Sequence, residues 1–332
     1  MKIAFTLCSN NYLAHAKTLG DSFLAHHPDF MFCIGLVDKV SPQLQGDYLS
    51  NFTVIPVEEL HMPDFPSLLA KYNITELNTA VKPAYYHYLF LKYKAGVVMY
   101  IDPDILVTSR FEEVFTVLQE KNIVITPHLL SPIDDEYSPT DYETLRGGVF
   151  NLGFIALSEY DKVKAFLNWW HERVIKYGYA NLASNMFYDQ LWINYVPTFY
   201  DNYFILKHPG YNMAHWNLHE RIITSSENEI FIVNEKYPLR FYHFSGYKYT
   251  NPNIICSYAN RFSFESRPDL KPIFSFYQSL LTQNKVDEIK KLQVAFYPDL
   301  AKSKAGRRKV GTFGKITNRL NHSLRILLYG DK

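Results

Sequence analysis

A chain of 332 residues with 47% hydrophobic and 20% charged side chains has the makeup of a globular protein with a sizeable core, which excludes a disordered or collagen-like main state. Its length admits one large α/β domain with an appendage, or two smaller domains. The formal net charge of +1 leaves no global field to gather nucleic acid or a strongly acidic substrate, so electrostatic recognition has to be local.

Residues 2–7 form a β-rich apolar run, and the polar cluster Ser9, Asn10 and Asn11 that follows can cap a helix from Tyr12 to about Ala25. This first run is too short for the core of a signal peptide and far too short to cross a bilayer, so cytoplasmic residence is the expectation. A second apolar run, 31–37, ends at Asp38, and a third, 52–57, ends at Glu58 and Glu59. Such alternation predicts parallel β-α-β units. Pro83 suits the first turn of a helix through Lys94, Gly96 ends it, and 97–101 reads as a buried central strand. Farther on, 122–126 and 149–157 read as strands, 159–177 and 186–195 as helices, and 204–208 and 239–244 as late strands. From residue 257 the pattern becomes helical and then basic.

The domain reading is therefore a catalytic unit over 1–256, with a donor half of about 1–110 and an acceptor half of about 111–256, and a helical extension with a basic tail over 257–332. Cys8, Cys33 and Cys256 are odd in number and scattered, which suggests neither a disulfide framework nor a thiolate metal site and fits a reducing compartment.

The sharpest local feature is Tyr100-Ile101-Asp102-Pro103-Asp104, where an apolar strand stops at two carboxylates separated by one proline. Ligands of open α/β sheets collect beyond the carboxyl ends of strands, and extended residues two apart point the same way. Asp102 and Asp104 can thus face one hard cation, Mg²⁺ or Mn²⁺, whose remaining positions suit diphosphate oxygens. Asp-Pro-Asp is also ordinary turn chemistry. Likewise His243, between Tyr242 and Phe244, can be a packed core histidine, Asn151 and Gly153 can mark a bulge, Asp189 can cap a helix, and Lys82 can be a plain surface side chain. A second cluster holds His208, Asn212, His215 and Trp216, whose imidazole, amide and aromatic groups suit sugar hydroxyls.

In their order along the chain these segments resemble those of glycosyltransferase family 8, which has the GT-A fold. The resemblance spans roughly residues 1–250. It implies a Rossmann-like, mixed and mainly parallel sheet flanked by helices, and transfer of a hexose from a nucleotide diphosphate sugar, UDP-linked, with retention of configuration. Thr6, Ser9, Asn11 and Tyr12 resemble the segment that reads the base, although Ser9 stands where members usually carry an acid. Lys82 resembles the basic residue aimed at the diphosphate or sugar, and Asn151 the contact to sugar hydroxyls. Asp189 and Gln190 resemble the pair beside the anomeric carbon. His243, in His243-Phe244-Ser245-Gly246, resembles the third protein ligand of the metal, with Gly246 and Lys248 in the same motif; Lys248 comes one place early. The implied partners are the nucleotide-sugar donor and a saccharide or glycolipid acceptor, with no nucleic acid.

Two alternatives stay open: a glycan-binding protein without catalysis, and a sugar-phosphate nucleotidylyltransferase. The second lacks its Gly-rich N-terminal loop, since the first glycine is Gly20. Residues 302–325 carry eight basic side chains and no acid, with Leu320, Leu324, Leu327 and Leu328 near one helical face. Such a segment can lie on an anionic membrane surface or serve as a solubilising tail.

Overall fold

The computed structural model describes residues 1–44, 46–225 and 230–297. In chain order, β1 (Lys2–Cys8) leads through a 3-10 turn, Asn10–Tyr12, into α1 (Leu13–His26), followed by β2 (Met31–Leu36) and β3 (Thr53–Pro56). Helices α2 (Phe65–Lys71), α3 (Ile74–Ala80) and α4 (Lys82–Tyr93) precede β4 (Val97–Ile101) and β5 (Ile105–Val107). Next come α5 (Glu112–Val117), β6 (Ile123–Pro127), α6 (Asp141–Gly147), β7 (Phe150–Ser158) and α7 (Tyr160–Tyr177). The hairpin of β8 (Ala180–Asn181) and β9 (Met186–Phe187) leads to α8 (Val196–Phe199) and β10 (Tyr203–Ile205). Three short strands, β11 (Ile223–Ser225), β12 (Phe231–Val233) and β13 (Tyr237–Pro238), precede β14 (Phe241–His243), α9 (Lys271–Gln283) and α10 (Val286–Ile289).

The main sheet has seven strands in the order β10-β6-β7-β4-β1-β2-β3. All its pairings are parallel except those of β7, which runs antiparallel to β4 and β6. This is the mixed, mainly parallel sheet flanked by helices that the sequence leads one to expect. Strands β1, β4 and β7 are buried on both faces, as their continuous apolar runs require.

Alternate residues of each strand enter different cores. Ala4, Met99 and Ile101 join α1, α9 and β14 on one face, while Ile3, Val98 and Tyr100 join α4 and α7 on the other. Phe274, Leu281 and Ile289 belong to the same cluster as Leu13 and Phe23, so the helices after residue 257 share the core of the first face. All three cysteines are buried and free. Among the described residues no helix is long and apolar enough to cross a membrane.

Strands β1, β2, β3, β4, β6 and β7 and the helices α1, α4 and α7 fall where the sequence placed them, within a residue or two, whereas the strand expected over 204–208 ends at Ile205 and β5, β8, β9 and β11–β13 were not foreseen. Lys94, in the left-handed region at φ 49°, ends α4 ahead of Gly96. The helix expected over 186–195 is not formed. Met186–Phe187 is a strand, Tyr188 has φ 51°, and only Gln190–Tyr195 coils, as a 3-10 helix. The cause lies in two side chains, Asp189 and Gln190, which turn inward to fixed partners described below. The late strand expected over 239–244 shortens to β14 and pairs with β5 in a separate two-stranded ribbon. The basic segment 302–325 lies outside the described residues.

Candidate active site and metal centre

β4 is the fourth strand of seven, and its carboxyl end delivers Asp102 and Asp104. Asp102 N–H bonds the Gly153 carbonyl at 2.8 Å, and the chain then turns within two residues into β5. β14 lies antiparallel along β5 with His243 opposite Ile105, so the ribbon carries the imidazole to the carboxylates. His243 Nε2 stands 3.1 Å from Asp104 Oδ1 and 3.7 Å from Asp102 Oδ2. The Tyr100 hydroxyl donates to the other oxygen of Asp102 at 2.6 Å, as two residues on one side of an extended strand can.

These three side chains fit a divalent cation. Neighbouring ligands bound at roughly 2.1 Å in an octahedron lie roughly 3 Å apart, which the 3.1 Å between His243 and Asp104 matches and the 3.7 Å to Asp102 exceeds. One candidate ligand atom from each residue falls within 4.8 Å of the others. His243 Nδ1 is buried without a hydrogen-bond partner among the described residues, and Nε2 is the nitrogen aimed at the carboxylates. Burial pushes the Asp102 carboxyl above its usual range, against the opposing pull of Lys82 and His243. Burial acts the same way on Asp104, but the charge and hydrogen bond of His243 outweigh it and hold that carboxyl low. For His243 burial works against the charged form, and the two carboxylates overcome it, raising its pKa. A positive charge is thus stabilised at this point of the fold.

The cleft in front of the triad has a volume of about 580 Å³. Lys82, at the start of α4, reaches Asp189 Oδ2 at 2.7 Å and the Leu152 carbonyl at 3.2 Å, with its ammonium 4.0 Å from the centre of the Tyr100 ring. Both members of the ion pair are at most 3% exposed. Asp189 therefore faces Lys82 and caps no helix with its side chain. Gln190 accepts from Leu152 N–H at 2.9 Å and donates to the Gly147 carbonyl at 2.8 Å, which fixes its amide against β7. Asn151 Oδ1 accepts from Gly153 N–H at 3.1 Å, and its amide nitrogen lies 3.1 Å from His128 Nε2.

Of the residues singled out from sequence, Lys82, Asp102, Asp104, Asn151, Asp189, Gln190, His215, Trp216 and His243 all line this cleft. Thr6 lies within β1, next to β4 in the sheet, and Ser9, Asn11 and Tyr12 follow the carboxyl end of that strand. Tyr12 stacks on His15 at 3.9 Å, and its phenol pKa is raised by burial and then by the charges of Asp104 and Asp102, so it borders the triad. Ser9 Oγ donates to the Val37 carbonyl, and buried Thr6 Oγ1 has no partner among the described residues. Gly246, at φ 77°, makes the turn after β14; a Cβ there would meet Cys256 Sγ at 2.5 Å. Lys248 is exposed, and its charge helps lower the His15 pKa, behind burial, so it too stands near this end.

Two of the proposed sugar contacts are elsewhere. His208 lies 3.4 Å from Glu113 and packs on Tyr211 and Tyr237. Asn212 is buried in a tight turn, at φ 54°, and donates to the Pro127 carbonyl.

Sequence reasoning passed over several lining residues. Trp216 sits among three imidazoles, with ring centres 5.1 Å from His128, 4.9 Å from His215 and 5.2 Å from His243. Burial lowers the His128 pKa to about 4 and that of His215 to about 3, so both are neutral near pH 7. Trp216 lines the cleft, and its Nε1 is a buried donor without a partner among the described residues. His128 could have been found, because it follows directly on a strand end of the sheet. Thr75, Thr79, Glu143 and Tyr258 carry no such signal.

No protein-family model matches the chain. The uncharacterized protein YfnF of Bacillus subtilis strain 168 is 30% identical over 134 residues, which is 40% of this chain and 43% of YfnF. The chain thus matches less than half the length of that relative. YfnD of the same organism is 25% identical over 304 residues, 89% of this chain and 92% of YfnD. Among solved structures, the glycosyltransferase GlyE of Streptococcus pneumoniae TIGR4 is 16% identical, covers 88% of this chain and 66% of its own, and gives a TM-score of 0.47. The galactosyltransferase LgtC in complex with donor and acceptor sugar analogs is 16% identical, covers 85% and 96%, and gives 0.44. Likenesses of this size leave function to be inferred from the cleft.

Proposed function

We propose that the protein is a metal-dependent glycosyltransferase that moves a hexose from a nucleotide diphosphate sugar, UDP-linked, to a saccharide or glycolipid acceptor with retention of configuration. The observation that carries this reading is the meeting of Asp102, Asp104 and His243 at the end of the central strand, in one cleft with the buried Lys82–Asp189 pair. A divalent cation held by the triad, Mn²⁺ or Mg²⁺, would neutralise the charge that builds on the leaving diphosphate.

The remaining work falls to side chains of the chain itself. Lys82 adds a fixed positive charge in a dry setting, where it favours the departing anion over the neutral bond. Asp189 and Gln190 face the sugar at its anomeric carbon, and their partners hold them still: Lys82 for the first, two backbone groups of the cleft wall for the second. Preset polar groups of this kind need no rearrangement as charge develops. Asn151 meets sugar hydroxyls. Thr6, Ser9, Asn11 and Tyr12 take the base end of the donor, with Gly246 and Lys248 along the diphosphate. His215 and Trp216 contribute the aromatic and imidazole faces against which a sugar ring packs. Asn212 supports the wall through the Pro127 carbonyl, next to His128, whereas His208 stands apart from the cleft.

The test is release of nucleotide diphosphate from a panel of nucleotide hexoses, with Mn²⁺ and with chelator. Metal-dependent release from one donor is expected, reduced at least 100-fold by Asp104→Asn. Saccharide binding without release from any donor would instead support a glycan-binding protein, and release unaffected by chelator would remove the metal from the reading.

A further inference from the structure

Beside the cleft, across α6, lies a second cavity of about 610 Å³. Pro127, Leu129, Leu130, Leu145, Val149 and Phe150 supply most of its apolar wall. The two cavities adjoin. Thr144 lines both, and at two places consecutive residues divide between them: Pro127 and His128, Phe150 and Asn151. Helix α6 is the partition. Glu143 and Gly147, four apart, face the cleft, whereas Tyr142 and Leu145, three apart, face the groove.

No residue of α6 is buried, and its place is fixed by end contacts instead: a capping box between Thr140 and Glu143, and Arg146 donating to the Leu182 carbonyl. Burial of its apolar side chains therefore does not explain their presence. Tyr142 is 63% exposed, Leu145 59% and Val149 38%, side by side on the rim. Large apolar side chains grouped in this way mark a binding surface. The groove offers a sugar little, since beyond the Tyr142 hydroxyl its polar side chains are Asp141, Thr144 and Lys207. It offers an aliphatic chain a nearly continuous wall.

We propose that this groove holds the apolar chain of a lipid-linked acceptor, whose saccharide end crosses α6 at Thr144 and enters the cleft. The inference rests on the glycosyl-transfer reading for the identity of the cleft. The chosen occupant follows from the shared wall: a ligand that spans both cavities must be amphipathic, polar toward His128, Asn151 and Glu143, and apolar toward Leu145 and Val149.

The probe is a series of hexyl, octyl and decyl β-D-glucosides, each kept below its micelle concentration, titrated calorimetrically into the full chain. Affinity should rise roughly fourfold for each added methylene, the usual gain when one is buried. Leu145→Asp and Val149→Asp, both at exposed positions, should each flatten that dependence while leaving metal-dependent nucleotide release unchanged. An affinity independent of chain length overturns the inference, as does the same slope in both variants. Nucleotide release followed on the same samples keeps the two readings apart. Release without chain-length dependence removes the lipid groove alone, and chain-length dependence without release from any donor removes the transferase reading alone.

Discussion

A Cβ atom on Gly153 would stand 2.5 Å from Cε1 and 2.8 Å from Nδ1 of the His243 ring. The third corner of the metal site therefore depends on a missing side chain in β7, a strand that supplies no ligand itself. The same added atom would come within 2.8 Å of Asn151 Oδ1. Gly153→Ala should push the imidazole off the carboxylates and lower Mn²⁺ affinity about 10- to 100-fold, the size of effect seen when support of a metal ligand is lost. Overpacking of this kind costs about 1–3 kcal/mol. Calorimetric Mn²⁺ titration beside urea denaturation would measure both, and unchanged metal affinity would show that the ring has room to spare.

The Lys82–Asp189 pair separates stability from chemistry. Removing one member of a buried pair strands the other charge, at a cost of about 3–5 kcal/mol, whereas replacing both with apolar groups of similar size is often neutral. Lys82→Met alone should thus lower the urea midpoint sharply, and Lys82→Met combined with Asp189→Leu should recover most of it. Nucleotide release should stay lost in both proteins. A double variant that turns over donor normally would take the pair out of the reaction.

How much of this was legible beforehand differs from element to element. The apolar runs of β1, β2 and β4 are buried on both faces and could be read directly, and the acidic pair at the end of β4 followed from its place beyond a strand end. The ribbon of β5 and β14 could not be read, because nothing local tells Phe241–His243 to pair with Ile105–Val107, more than 130 residues away. Residues 186–195 carry a helix-like pattern, yet Asp189 and Gln190 find buried partners that a regular helix would deny them. His208 and Asn212 share the composition of a sugar site with His215 and Trp216, but the turn at Asn212 sends the two pairs to different places. Tyr258 reaches the cleft from beyond the boundary drawn at residue 256.

Acid should unfold the protein through buried histidines. His27 is fully buried, stacks on Phe23 at 4.2 Å and accepts from Phe111 N–H at 3.0 Å through Nε2, with Nδ1 3.1 Å from the Phe23 carbonyl. That arrangement requires the neutral ring, and burial lowers its pKa from 6.5 to about 4. The unfolded chain then binds the proton more readily than the folded one. The stabilising contribution is complete above pH 6.5 and is lost as pH falls toward 4, by up to about 3 kcal/mol. Urea midpoints measured from pH 7 to pH 4.5 should fall with acid, and His27→Gln should reduce the slope by close to one proton. A midpoint indifferent to pH across that range would contradict the assignment.

Whether Asp102, Asp104 and His243 together hold a divalent cation is measured most directly by titrating Mn²⁺ and following the free ion by electron paramagnetic resonance. One bound ion per chain is predicted for the wild type, with affinity at least tenfold weaker in each of Asp102→Asn, Asp104→Asn and His243→Ala. Wild-type affinity retained in all three variants would contradict the account.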